Sequence, residues 1–327
     1  MRFILRRLAF YVVAAWFAIT VNFAIPRIMP GNSVDTMLAK FPQLDASSLR
    51  ALEAEFGTHA HGSVISQYFS YLGNLAHGDL GHSWSENAPV GSLILSYLPW
   101  TIVLLGIATT LSFLGGSVVG TLIAWRRGSW TDLLIPFSTF FAALPFFFLG
   151  IVLVLIFGQT GTMLKWFPSL FGWDIYTTTP GLNFPYIQSV ISHAILPAAT
   201  VILASMAGFI LSIRNQVITT MDEDFVVVAQ AKGLPGRTVI WYAVRNALLP
   251  VVANFTIAIS LIVGGQILVE IVFNYPGIGF HLYDALGKLD YPLVQGVFVV
   301  LTLVVLAANL IADVIYVSID PRARQAA

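Results

Sequence analysis

Long apolar runs separated by short polar stretches dominate this chain. They fall at Leu8–Ile28, Trp100–Trp125, Leu133–Phe157, Val190–Ile213, Leu248–Phe273 and Leu293–Val317. Each reaches the roughly 20 residues that a helix needs to cross a hydrocarbon core. Proline and glycine inside the runs (Pro136, Pro145, Pro197, Gly264, Gly265) do not veto a span, because neighbouring helices satisfy the freed backbone groups. The first run follows Arg2, Arg6 and Arg7, as in a signal peptide. It is longer than an h-region and no small-x-small site follows it, so it reads as a retained span. The pattern therefore predicts an all-α integral membrane protein with about six transmembrane helices.

Composition agrees. The chain has 327 residues, 57% of them hydrophobic and 10% charged, with a mean hydropathy of +0.82. A soluble domain carries about 25% charged residues, so lipid is the main solvent here. Sixteen basic and 16 acidic residues cancel, which gives no footprint for nucleic acid. The chain has no cysteine, which excludes disulfides, thiolate metal sites and a cysteine nucleophile. Lysine and arginine then set the orientation. With a cytoplasmic N-terminus, eleven of the 16 fall inside. Only Arg27, Lys40, Arg50, Lys165 and Lys288 fall outside. That bias predicts both termini in the cytoplasm.

Between the spans, residues 30–98 form a large extracytoplasmic segment. Within it, Ser47–Phe56 reads as a capped amphipathic helix with Leu49, Leu52 and Phe56 on one face. It serves either as a cap over the span ends or as a surface for an outside partner. The cytoplasmic stretch at about 214–247 is more informative. Asp222, Glu223 and Asp224 suit an N-cap and first turn, Lys232 suits a last turn, and Gly233 suits the C′ position. Between these caps, Phe225, Val228 and Ala229 are spaced to make one apolar face. A helix of about two turns is marginal alone in water. It must dock, on its own protein or on a partner.

Several motifs here resemble those of the oligopeptide/dipeptide permease family, the membrane subunits of binding-protein-dependent ABC importers. Glu223-Asp-Phe-Val-Val-Val-Ala-Gln-Ala-Lys-Gly-Leu234 and Arg245-Asn-Ala-Leu-Leu-Pro250 resemble its cytoplasmic loop. Gly78-Asp-Leu-Gly-His-Ser83, Arg127-Gly-Ser-Trp-Thr-Asp132 and His193-Ala-Ile-Leu-Pro197 resemble motifs around spans two to four. Glu270-Ile-Val-Phe-Asn-Tyr-Pro-Gly-Ile-Gly279, Asp290-Tyr-Pro-Leu-Val-Gln-Gly296 and Asp320-Pro-Arg322 follow in register. The general importer loop opens with Glu-Ala-Ala. Here Val227, Val228 and Ala229 stand at those places, and the spacing from Gly233 to Pro250 is longer than the general pattern.

The resemblance implies a MetI-like permease core in spans two to six, with a peripheral first span. As domains it implies 1–29 as N-terminus and first span, 30–98 outside, 99–318 as the five-helix core, and 319–327 as a cytoplasmic tail. It implies a coupling helix that docks on an ATPase subunit through Asp224, Phe225, Ala229, Ala231, Lys232 and Gly233. It further implies a second permease subunit, two ABC ATPases that bind ATP and Mg, an extracytoplasmic solute-binding protein, and the cytoplasmic (inner) membrane as the location. The cargo it implies is peptides; oligosaccharides, glutathione and nickel complexes occur in the same importer class. No Gly-x-x-x-x-Gly-Lys-Ser/Thr phosphate cradle exists in this chain. The reading is therefore a transport subunit, not an enzyme, with no cofactor of its own.

Other residues carry weaker expectations. Glu270 near the outer end of span five and Asp313 near the inner end of span six are charges at membrane depth, and either can line a pathway. Pro276 and Gly277 read as a type II turn in an outer loop that serves as gate or binding-protein contact. Gly116 and Gly120 form a small-xxx-small pattern for close helix packing. His59 and His61 are too few for a zinc site. A secondary transporter is the remoter alternative, but the two halves show no repeat and no run of intramembrane charge. An intramembrane hydrolase would need Ser117 and His193 within reach of each other.

Overall fold

The computed structural model describes residues 2–28 and 63–319. The helix expected at Ser47–Phe56, His59, His61 and the tail motif at Asp320 lie outside the described residues. The elements in chain order are α1 (Arg2–Ile28), α2 (Val64–Ala76), a two-stranded antiparallel hairpin β1 (His82–Ser83) and β2 (Ala88–Pro89), and α3 (Val90–Trp125). After a 3-10 turn at Trp130–Leu133 come α4 (Leu134–Ala143), α5 (Phe146–Phe157) and α6 (Phe184–Met221). Then follow α7 (Asp224–Ala231), α8 (Gly236–Gly265), α9 (Ile267–Val272), α10 (Ile278–Lys288) and α11 (Tyr291–Ile319). Among the described residues, four helices are long and apolar enough to cross a membrane. Two bent pairs bring the count to six if each pair is one span.

The bends correct the simple picture of straight spans. The run at Leu133–Phe157 is two helices that meet at 105°. Leu144 precedes Pro145 and is driven into the extended region, at φ −79° and ψ 132°. Pro145 then starts α5 as its N-cap. The fifth run begins earlier than Leu248, at Gly236, bends by 41° around Pro250 and ends before Gln266. The second run also begins earlier than Trp100: the helix continues back through Pro99 to Val90.

The chain forms two compact units, residues 1–101 with 276–310, and residues 102–275 with 311–327. In the second unit α6 is the hub, packed by α4, α5, α8, α9 and α7. Its core joins Phe209, Ile213 and Val217 of α6 to Ile240, Val244, Ala247 and Val251 of α8. The glycine pattern of α3 packs against α6. A Cβ on Gly116 would stand 2.7 Å from the Phe209 Cβ, and one on Gly120 would stand 2.6 Å from the Ile210 carbonyl oxygen. These glycines let two backbones approach closely, as the sequence pattern suggested.

In the first unit polar bonds do more of the work. Asn22 of α1 is 4% exposed. Its Nδ2 donates to the Tyr71 hydroxyl of α2 at 3.1 Å and to the Gln295 carbonyl of α11 at 2.9 Å. Thr20 and Tyr68 share a hydroxyl–hydroxyl bond of 2.7 Å. The β1–β2 hairpin is tied to the start of α11 by Asp290, which is fully buried. Its Oδ2 accepts from the Ser83 hydroxyl at 2.6 Å and the Ser85 N–H at 3.0 Å. Its Oδ1 accepts from the Leu293 N–H at 3.2 Å, as an N-cap does.

Candidate functional site

The site is built on α7. Glu223 is its N-cap, in extended geometry, and Asp224 sits in the first turn, where negative charge meets the helix dipole. At the other end Lys232 is the C-cap. Gly233 follows at φ +72°, a left-handed conformation in which any side chain is strained. The Leu234 N–H bonds the Ala229 carbonyl at 3.3 Å and the Gly233 N–H bonds the Gln230 carbonyl at 2.9 Å. That pair of bonds is the Schellman closure. The C-terminal end is thus closed as its sequence suggested, whereas the Glu223 side chain makes no capping bond and Asp222 is the C-cap of α6.

Its faces divide differently from the expected Phe225–Val228–Ala229 stripe. Val226 and Ala229 are the inner pair, at 0% and 5% exposure. They pack against Val239 and Ala243 of α8, with Met221 at the end of α6 beside them. Phe225, Val227 and Val228 point outward, at 39%, 51% and 51% exposure. Asp224, Ala231, Lys232 and Gly233 are exposed around them. The reason is geometric. Val226 and Ala229 are i and i+3, so they share the side that meets α8, and the residues between them face away. The helix is therefore keyed to α6 and α8 on one side and open on the other, with acidic and basic groups at its two ends.

The remaining candidates are placed as follows. Glu270 lies in α9 and is 1% exposed, an enclosed side chain in this conformation. Asp313 is half-buried in α11. Pro276 is half-buried, and Gly277 is the N-cap of α10 at φ −85° and ψ 173°. A type II turn needs φ near +80° at that glycine, so the expected turn is absent and an extended cap replaces it. The Ile278 N–H that follows donates to the Thr101 hydroxyl at 2.9 Å. In α10 the His281 ring stacks on Tyr97, with centroids 3.5 Å apart and planes 5° off parallel. Burial lowers the His281 pKa from its ordinary value, against the pull of Glu86 and Asp284.

The serine–histidine pair of a hydrolase is not formed. The Ser117 hydroxyl is buried without a hydrogen-bond partner. His193 Nδ1 lies 2.8 Å from the carbonyl of Ser189, one turn back on the same helix.

Sequence reasoning missed a cleft of about 590 Å³ beside the loop between α5 and α6, lined by Trp173, Asp174, Tyr176, Gln188 and His193 among others. Asp174 closes its own turn there. The Thr177 hydroxyl and the Tyr176 N–H bond its carboxylate and lower its pKa. The Asp174–Thr177 spacing was the one available signal.

The described residues thus form a helical protein with several candidate membrane spans and a short helix, α7, set between two long ones. Comparison with known proteins gives the family. Residues 116–325 match the family described as binding-protein-dependent transport system inner membrane component, and the chain belongs to it. It is 33% identical over 341 residues to a di/tripeptide transport system permease protein of Pseudomonas aeruginosa, covering 98% of each chain. An oligopeptide transport system permease protein of Bacillus subtilis is 32% identical, with 92% of each chain covered. An oligopeptide transport system permease protein of Haemophilus influenzae is 32% identical, with 99% of each covered. The chain is thus a membrane permease subunit of a binding-protein-dependent ABC importer, not an enzyme, and it forms part of a translocation pathway.

Proposed function

We propose that this subunit carries peptides or similarly sized solutes, and that α7 is the point where ATP-driven motion enters it. One observation carries the second part: the open apolar face of Phe225, Val227 and Val228 on a helix locked from behind by Val226 and Ala229. An open apolar face on a short helix fits a groove on another subunit, and the buried pair transmits its movement to α6 and α8. Asp224, Ala231 and Lys232 frame the contact, and Gly233 ends the helix; Ala229 acts from the inner side. The peptide cargo is supported by the similarity to di/tripeptide and oligopeptide transport permeases.

The assembly we infer has a second permease subunit, two ABC ATPases that hold ATP and Mg, and an extracytoplasmic binding protein, all set in the lipid bilayer. This chain supplies no ATPase site, in keeping with its lack of a phosphate-cradle motif. Both termini and α7 face the cytoplasm, in keeping with the lysine and arginine bias. Glu270, Asp313, Pro276 and Gly277 remain our pathway or gate residues, with Glu270 enclosed in the conformation described.

The test is Val228→Glu in the full complex, reconstituted in vesicles and assayed for ATP-driven uptake of a labelled dipeptide. Uptake should fall at least tenfold, which corresponds to about 1.4 kcal/mol of coupling, while membrane insertion stays normal. Undiminished uptake would remove the coupling assignment.

A further inference from the structure

We propose that α2 is an interfacial lipid-binding helix whose outward apolar stripe, Ile65 and Phe69, sits in the outer leaflet at the boundary between headgroups and acyl chains.

Eleven of the thirteen residues of α2 fall into three stripes; Val64, which is 61% exposed, opens the helix, and Leu72 is half-buried. Gln67, Tyr68, Tyr71 and Leu75 form the packed stripe, none of them fully exposed. Ile65, Phe69 and Ala76 form a second stripe, at the i, i+4, i+11 positions of one face. It is open: Ile65 is 69% exposed and Phe69 66%. Ser66, Ser70, Gly73 and Asn74 form a third stripe, also exposed but polar. The helix carries no charged residue, and at about 20 Å it is too short to span.

Its partners fix its depth. The packed stripe bonds α1 at Thr20 and Asn22 through Tyr68 and Tyr71, and at Arg27 through Gln67, where the distance is 2.7 Å. The Tyr68 and Tyr71 rings also pack on Phe23. The apolar span of α1 runs from Arg7 to Ile25. Thr20, Asn22 and Phe23 are thus inside its last turns, and Arg27 is just past its end. Thr20 to Arg27 covers about 10 Å of helix axis. A helix held at that level lies in the layer where amphipathic helices bury an apolar face about 5–10 Å deep. Arg27 marks the top of the layer: its guanidinium lies 3.5 Å from the Phe23 ring centroid and donates to the Phe23 carbonyl. The neighbouring surface of α1 is apolar and open as well, at Phe17 and Val21. Phe69 is one of the residue types that interfacial helices present to lipid.

Because this chain has no cysteine, a single nitroxide label can be placed on the purified subunit, before it is assembled with its partners, without background from its own sequence. The full transporter complex carrying Ile65→Cys, Phe69→Cys, Ser66→Cys or Ser70→Cys is reconstituted in phosphatidylethanolamine–phosphatidylglycerol vesicles. Collision rates with oxygen and with a water-soluble nickel chelate are read by electron paramagnetic resonance. Labels at 65 and 69 should favour oxygen several-fold over the chelate, and labels at 66 and 70 should show the reverse. Equal chelate access at all four positions would place the stripe in water and overturn the proposal. Low collision with both reagents at 65 and 69 would place protein over it and overturn the proposal equally. ATP-driven uptake by the labelled complexes, measured in parallel, shows that each is assembled, so the lipid reading and the transport reading fail separately.

Discussion

Two of the short helices in this protein, α7 and α2, solve the problem of a half-open surface in opposite ways. The eight residues of α7 bury small and branched apolar side chains, Val226 and Ala229, and carry charge at their ends. The thirteen residues of α2 carry no charge and attach through hydroxyls and amides, Tyr68 to Thr20 and Tyr71 to Asn22. Close apolar packing makes α7 stiff against α8, which suits a part that transmits force. Hydrogen bonds to a single helix end hold α2 in place without committing it to a core. The flanking chemistry also separates their open faces. Charged ends beside exposed valines suit a water-bathed protein groove; an uncharged aromatic stripe suits lipid.

The sharpest way to break this contrast is to put a charge on the inner side of α7. Ala229→Glu should destabilise the protein by several kcal/mol, about 3–5, because the carboxylate is buried without a partner. Thermal unfolding in detergent should show a large fall in melting temperature, whereas Val228→Glu on the open side should stay within about 0.5 kcal/mol of the parent. Equal stability of the two variants would erase the distinction between faces. A smaller effect belongs to α2. Asn22→Ala removes two donated bonds and should cost about 1–3 kcal/mol. Hydrogen exchange in α2 should quicken while that in α7 stays unchanged; parallel changes in both would show that α2 is not held independently.

The smallest effect sharpens the contrast by leaving both helices alone. Neither α2 nor α7 contains histidine, whereas α10 holds His281 against Tyr97, with Glu86, Asp284 and Lys288 around it. Its pKa is lowered in the folded protein, so the fold binds fewer protons there than the unfolded chain does. Stability is therefore full above the ordinary histidine value of 6.5 and declines as pH falls below it. Acidification should lower the melting temperature slightly, and His281→Phe, which keeps a stacking ring without the proton, should flatten that slope. An unchanged slope in the variant would remove His281 from the account.

Much of this was legible in the residues, and the failures share a cause. The apolar runs gave the spans, and Asp224, Lys232 and Gly233 gave the ends of α7. Which valine faces inward was not legible, because Val226, Val227 and Val228 are identical in type and only the approach of α8 distinguishes them. Proline was ambiguous for the same reason. Pro99 and Pro197 sit inside continuous helices, whereas Pro145 starts a new one. The difference lies in what neighbouring helices satisfy, not in the residue. Asp290 stood in a recognisable motif, yet two of its partners, Ser83 and Ser85, lie so far back in the chain that no local pattern points to them.

That last distance bears on how the protein is made. The bond from Ser83 to Asp290 joins residues 207 positions apart. The hairpin leaves the ribosome long before its acceptor exists. At typical synthesis rates the wait is roughly 10–40 s. During that time the Ser83 hydroxyl and the Ser85 N–H have no carboxylate to meet. The hairpin can latch only once Asp290 has been made, so a chain cut short before that residue stays unlatched.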